Sequence, residues 1–368
     1  MGIRVSDNIA ELQPYPPGKP LEELEREYGI SDSIKLASNE NPLGSSPRAL
    51  EAVRIHLENL RRYPDGSGFY LKQRLSRLLG VPQTAIVLGN GSNEIIDLAI
   101  RTFVQPGDEV LMSDPTFLVY RLMTQAVGGR PVQVSQKGFA HDLKSMAAAV
   151  SSRTRMVFLD NPNNPSGTVI SREDFEAFRS QIPADVLIVL DEAYIEFADP
   201  ELTVSGTEYV DDLPSVITLR TFSKAYGLAG LRIGYGIMPP EVAGYVNRVR
   251  QPFNVNSLAQ VAALAALDDG QFLQETLQVV REGLAFLYKE LANMQLRALP
   301  TQTNFLLIDV GGDGKKIYEA MLRRGVIVRA MSSYGLNNYI RISVGKPDEN
   351  RRFLKALKEV IGETGVRR

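Results

Sequence analysis

From about residue 46 onward, helix-length segments alternate with short apolar runs at 85–88, 109–112, 155–159, 186–190 and 216–219. Several runs are apolar at every position, as in Val186-Leu187-Ile188-Val189-Leu190. A strand that hides one face alternates, whereas one apolar throughout is covered on both, the condition of a mainly parallel sheet between two helical layers. The expected core is therefore a three-layer α/β/α sandwich. Near Pro252 the alternation stops, and 256–267 and 273–294 read as two long helices, the first rich in alanine. Strands expected at 304–309, 325–330 and 339–344 and a last helix at 351–361 suggest a smaller α+β unit. The expected division is 1–45 as an N-terminal arm and part of the small domain, 46–255 as the large domain and 256–368 as the small C-terminal domain. Pro14, Pro16, Pro17, Gly18 and Pro20 make the arm extended, so it is expected to lie across another surface.

Composition narrows the chemistry. With 41 Lys+Arg against 43 Asp+Glu the formal charge is -2, so nothing draws the chain to nucleic acid or an anionic membrane. No apolar stretch approaches the roughly 20 residues of a membrane span, and residues 1–15 show no basic start followed by an apolar block. A soluble, cytoplasmic protein is expected. The absence of cysteine removes disulfides and thiolate chemistry, and two histidines leave no basis for a metal centre. Reactions must run on Lys, Asp, Tyr, Arg, Ser and Asn, or on a borrowed cofactor.

Ligands of open α/β sheets bind outside the carboxyl ends of the strands, and four such ends carry polar clusters. Gly89-Asn90-Gly91-Ser92-Asn93 offers backbone N–H groups at a helix start that Ser92 or Asn93 can cap, an arrangement suited to phosphate or simply to a tight turn. It lacks the lysine of a Walker loop and the G-x-G-x-x-G spacing. Asp160-Asn161-Pro162-Asn163-Asn164-Pro165-Ser166-Gly167 can hold an amide rigidly at the sheet edge, or merely turn the chain. Asp191-Glu192-Ala193-Tyr194 puts a carboxylate where an aliphatic run ends, costly unless it meets a cation or donors, although a helix cap would also explain it. In Thr221-Phe222-Ser223-Lys224-Ala225-Tyr226-Gly227, Lys224 sits among hydroxyls and small residues with no second charge before Arg232. Most lysines are solvated surface charges, but a partly desolvated amine titrates low enough to attack a carbonyl. Phosphate donors, an acid for a pyridinium nitrogen and an imine-forming lysine together are what pyridoxal phosphate requires.

The ordered motifs G-S-N, N-P-N-N-P-S-G, D-E-A-Y and T-F-S-K-A-Y-G-L-A-G-L-R-I-G-Y resemble the class II aminotransferases of fold type I, and among them the histidinol-phosphate aminotransferases. The arm P-Y-P-P-G-K-P, L-A-S-N-E-N-P-L-G at 36–44 and R-Y-P-D at 62–65 extend the resemblance almost end to end. It implies pyridoxal 5'-phosphate bound to Lys224 as a Schiff base, with Lys224 also shuttling the substrate proton. By the same resemblance Asp191 pairs with the ring nitrogen, and Tyr194 and Asn164 bond the ring oxygen. The phosphate falls to Gly91, Ser92, Asn93, Thr221, Ser223 and Arg232, and to Tyr63 of a neighbouring subunit in a homodimer. Phe117 stands where many relatives stack a tyrosine on the ring, so the stacking face is kept and a hydroxyl lost.

For the substrate, the resemblance assigns Arg341 and Arg329 to the anionic group, with Tyr15 and Asn39 on segments that close over the site; either arginine could instead be a strand-edge charge. The implied activity is transamination between L-histidinol phosphate and 2-oxoglutarate, giving imidazole acetol phosphate and glutamate, in histidine biosynthesis. An aromatic amino-acid aminotransferase and the phosphothreonine decarboxylase of cobalamin synthesis share the coenzyme machinery. A phosphate ester without a carboxylate needs two cationic contacts and a plain amino acid chiefly Arg341, so Arg329 and the arm favour the ester. A non-catalytic regulatory module is disfavoured by an intact Lys224 and by the lack of a helix-turn-helix segment or basic stretch. His56 and His141 match no motif and are expected at the surface.

Overall fold

The computed structural model describes residues 3–212 and 215–364. Its centre is a seven-stranded sheet made of β1 (Ile86–Gly89), β2 (Glu109–Asp114), β3 (Arg130–Ser135), β4 (Thr154–Asp160), β5 (Leu187–Asp191), β6 (Val216–Thr221) and β7 (Gly234–Ile237). The spatial order is β1-β7-β6-β5-β4-β2-β3, parallel except for β7, which runs antiparallel to both neighbours.

Both faces are covered, as the unbroken apolar runs require. Phe158, Val189 and Ile217 enter one layer with Ile95, Leu98 and Ala99 of the helix Ser92–Phe103. Their neighbours Val157, Leu159, Ile188 and Leu190 enter the opposite layer with Phe175 and Phe178 of the helix Arg172–Arg179. Each of the larger side chains is worth roughly 1.5–3 kcal/mol relative to exposure, so Phe158→Ala would open a cavity under the strand that carries Asp160.

Two strands of this sheet were not expected. Arg130–Ser135 lies at the sheet edge with no buried side chain, and Gly234–Ile237 holds two glycines, so neither shows an apolar run. The alanine-rich helix Ser257–Leu267 packs on the helix Pro47–His56 in a cluster shared with Leu88, Phe222 and Tyr235. Its alanines allow that close approach.

The smaller unit is an antiparallel sheet in the order Arg329–Ala330, Tyr339–Ser343, Phe305–Asp309, Arg297–Ala298, backed by the helices Gly270–Asn293 and Pro347–Thr364. The single strand expected at 325–330 is split: Val326–Ile327 pairs in parallel with Ile34–Lys35, whereas Arg329–Ala330 pairs with Tyr339–Ser343. The segment before the large sheet is thus stitched into the small unit, and the arm before it crosses between the two.

Candidate active site

Strands β4, β5 and β6 are parallel neighbours, so their last residues Asp160, Asp191 and Thr221 emerge side by side. Two antiparallel steps through β7 make β1 run with them, which brings Gly91 and Ser92 to the same edge. Between that edge, the arm and the small sheet lies a cleft of about 330 Å³, within the range of small-molecule sites. Every site residue named from the sequence lines it except Tyr63. Tyr63 is 83% exposed and stacks on Phe253 with ring centroids 4.9 Å apart.

One end of the cleft is built for an anion. The helix Ser92–Phe103 begins at Gly91 (φ +75°) with no side chain capping its first-turn amides. The expected cap at Ser92 or Asn93 is therefore corrected: both lie past the cap. A Cβ at position 91 would come within 2.8 Å of the Arg232 guanidinium, so the glycine lets helix terminus and cation meet. Arg232 is braced by donating from Nη1 to the Ala229 carbonyl at 2.9 Å, and Thr221 and Ser223 add hydroxyls beside it. Uncovered amides, a guanidinium and hydroxyls on one spot are the donor set of a phosphate site.

Next along the edge come the acid and the amine. Asp191 is 5% exposed; its Oδ2 accepts from the Tyr120 hydroxyl at 2.7 Å and its Oδ1 from the Ala193 N–H at 3.2 Å. Burial pushes its carboxyl up to about 7, with neighbouring Asp160 adding to the rise against the Tyr120 hydrogen bond. Lys224 donates from Nζ to the Ser38 carbonyl at 3.0 Å and lies 5.7 Å from the centre of the Tyr194 ring. Burial, with the Arg341 charge second, brings its ammonium down to about 8. The turn that presents it needs Gly227 (φ +68°), where any side chain would run into the Gly44 carbonyl. An amine so tuned is a nucleophile near neutral pH.

The opposite wall is polar and interlocked. Tyr194 accepts at its hydroxyl from Asn39 Nδ2 at 2.8 Å, and burial pushes that phenol up to about 12. Asn39 adopts φ +56°, which asparagine tolerates, and its N–H donates to Ser343 Oγ at 2.7 Å. Arg341, 6% exposed, donates to Asn164 Oδ1 at 2.5 Å and to the Ala37 carbonyl at 3.2 Å, and its buried Nε has no partner among the described residues. Arg329 stands directly opposite Arg341 in the strand ladder, donates to the Pro16 carbonyl at 2.7 Å and lies 5.6 Å from the Tyr15 ring centre. Tyr15 in turn meets Phe117 edge-on at 6.3 Å. The arm thus lies across the cleft mouth.

Sequence reasoning missed three groups here. Tyr120 is one helical turn after Phe117, a spacing that could have shown it to share the ring-facing side. Asp160 heads the Asn-Pro turn, where its sequence neighbours alone suggest no role beyond the turn. His141, expected at the surface, is buried: its ring bonds Ser113 Oγ at 2.5 Å and the Asp160 carbonyl at 3.0 Å. It sits in a loop beyond β3, an element that no apolar run announced. His56 closes the helix Pro47–His56, half-buried.

A family model described as aminotransferase class I and II matches residues 31–357. Histidinol-phosphate aminotransferase of Desulfotalea psychrophila is 48% identical over 98% of this chain and 96% of its own. Histidinol-phosphate aminotransferase 2 of Pseudomonas aeruginosa is 48% identical over 96% of each chain. The crystal structure of histidinol-phosphate aminotransferase from Sinorhizobium meliloti in complex with pyridoxal-5'-phosphate superposes with a TM-score of 0.92 at 32% identity, covering 99% of both chains. With most of its length matched by the family model, the chain belongs to the class I and II aminotransferases.

Proposed function

We propose that the chain is a pyridoxal-phosphate-dependent transaminase that exchanges an amino group between L-histidinol phosphate and 2-oxoglutarate. The observation that carries this reading is the single cleft in which Lys224, Asp191, a phosphate-type helix terminus and two arginines meet. The names of the relatives and their near-complete coverage point the same way.

The donors present fit the cofactor. A glycine-capped helix start beside Arg232 suits its phosphate, and Asp191, an acid buried 5% exposed with Tyr120 behind it, suits a protonated ring nitrogen. When bound, pyridoxal phosphate supplies a carbonyl that condenses with amines and a ring that accepts the electron pair left when a C–H bond breaks. Lys224 Nζ would anchor it and then take and return the substrate-carbon proton. Asp191 would hold the ring-nitrogen proton in place, while Tyr194 and Asn164 orient the ring oxygen and Phe117 covers a ring face. Arg341, with Arg329 opposite it across the ladder, would receive the substrate's anionic group.

We propose further a homodimer in which Tyr63 serves the neighbour's phosphate site; the support is an exposed, stacked aromatic pair of Tyr63 and Phe253. Among the described residues no helix is long and apolar enough to cross a membrane, and a cytoplasmic location is proposed with the rest. The deciding experiment is a coupled assay of the loaded enzyme with histidinol phosphate, phenylalanine and phosphothreonine. Preferred transamination of histidinol phosphate is expected; indifference to it with turnover of either competitor overturns the substrate assignment.

A further inference from the structure

Asp160 and Asp191 are register partners at the ends of adjacent parallel strands, so two carboxylates stand together at the base of the cleft. Asp160 is 3% exposed. Its Oδ1 accepts from Thr116 Oγ1 at 2.7 Å and Asn163 Nδ2 at 2.9 Å, and its Oδ2 from the Asn164 N–H at 2.8 Å. A carboxylate bonded only within its own turn would be an ordinary loop device. The Thr116 bond is different, because it reaches a loop 44 residues away and fixes the residue next to Phe117.

Behind Asp160 stands His141, whose Nε2 is 3.0 Å from the Asp160 carbonyl and 3.3 Å from Oδ1. A carbonyl only accepts, so Nε2 carries a hydrogen, and the ring's other nitrogen is tied at 2.5 Å to Ser113 on β2. Three segments therefore converge on one acid: the Phe117 loop, the Asn164 loop and the His141 loop. Asn164 in turn receives Arg341 at 2.5 Å. The titratable groups facing Asp160 are His141, Asp191 and, beyond the latter, Tyr120.

We propose that Asp160 is a positioning residue: it locks the Phe117 and Asn164 walls of the pocket in mutual register and sets a second carboxylate beside Asp191. The inference rests on reading the cleft as the pyridoxal phosphate site. An amide at position 160 cannot accept all three hydrogen bonds, since the Asn163 and Asn164 nitrogens have no acceptor role to offer in return. A longer acid keeps the charge but misplaces the oxygens.

The test titrates pyridoxal phosphate into wild type, Asp160→Asn, Asp160→Glu and Thr116→Val, reading Kd, the pH midpoint of the bound cofactor's absorption band, and the melting temperature without cofactor. Asp160→Asn is expected to bind roughly tenfold or more weakly, the worth of one buried charge-assisted hydrogen bond, with its midpoint moved down because a neighbouring negative charge is gone. Asp160→Glu is expected to lose affinity yet keep the wild-type midpoint, and Thr116→Val to lose less affinity with no midpoint change. A lowered melting temperature with wild-type Kd and midpoint in Asp160→Asn would show a folding role only and overturn the proposal. If Asp160→Asn does not fold, wild-type Kd in both Asp160→Glu and Thr116→Val overturns it instead. Failure of the wild type to bind the cofactor overturns the reading of the cleft; normal wild-type binding with indifferent variants overturns this inference alone.

Discussion

The two walls of the cleft are assembled in different ways. The large-sheet wall comes from strand ends, each delivering a short contiguous motif: Gly91-Ser92 after β1, Asp191 to Tyr194 after β5, Thr221 to Lys224 after β6. The small-sheet wall comes from side chains facing out of an antiparallel ladder, where Arg329 and Arg341 are brought face to face only by strand pairing. Contiguous motifs fix chemistry locally, whereas a ladder fixes it through register. The strand-end wall is thus expected to govern whether reaction occurs at all, and the ladder wall to govern which substrate reacts.

The largest effect is expected from Lys224→Ala, which should cut turnover on the order of 10³-fold or more while leaving the melting temperature close to wild type. Near-normal steady-state rates in that variant would break the division at its root. Arg341→Ala should reduce kcat/KM by about 10²-fold for histidinol phosphate and glutamate alike, since a buried cationic donor is lost to both. Selective damage to one substrate would show that the two arginines do not share the work as proposed. Arg329→Ala should raise the KM for histidinol phosphate roughly tenfold and that for glutamate far less; equal losses would remove the specificity role of the ladder wall.

The smallest effect sharpens the strand-end side. An amine attacks a carbonyl only when neutral, and Lys224 has been brought down to about 8. Capture of pyridoxal phosphate by the cofactor-free protein should therefore accelerate as pH rises and level off above about 8. An ordinary exposed lysine would still be accelerating near pH 10. Stopped-flow loading across that range distinguishes the two, and a midpoint at the ordinary value would mean that the amine is solvated.

The legibility of the sequence follows the same division. Unbroken apolar runs such as 186–190 disclose a doubly covered strand, because burial on both faces leaves no polar position to write. The residues that end those strands are adjacent in sequence to the signal, so Asp191 and Lys224 could be found with it. The edge strand Arg130–Ser135 only half-buries Val132 and Val134 and shows no unbroken apolar run, and His141 beyond it, expected at the surface, is buried. Arg329 was reachable only through the family resemblance, since a strand of two residues has too little length to show a period. Asp160 reads in the sequence as part of a turn, and its grip on Thr116 is a long-range contact that local spacing does not encode.

The face-to-face placement of Arg329 and Arg341 ties charge to loop length. Sliding one strand past the other by a single residue would turn one guanidinium away from the cleft, because successive side chains point to opposite faces. The connector from 331 to 338 therefore acts as a ruler for the incoming anion. Grafting a loop that advances the pairing by one rung would split the cationic pair without altering either arginine, so loop exchange offers a route to new substrate preference that leaves the reactive lysine untouched.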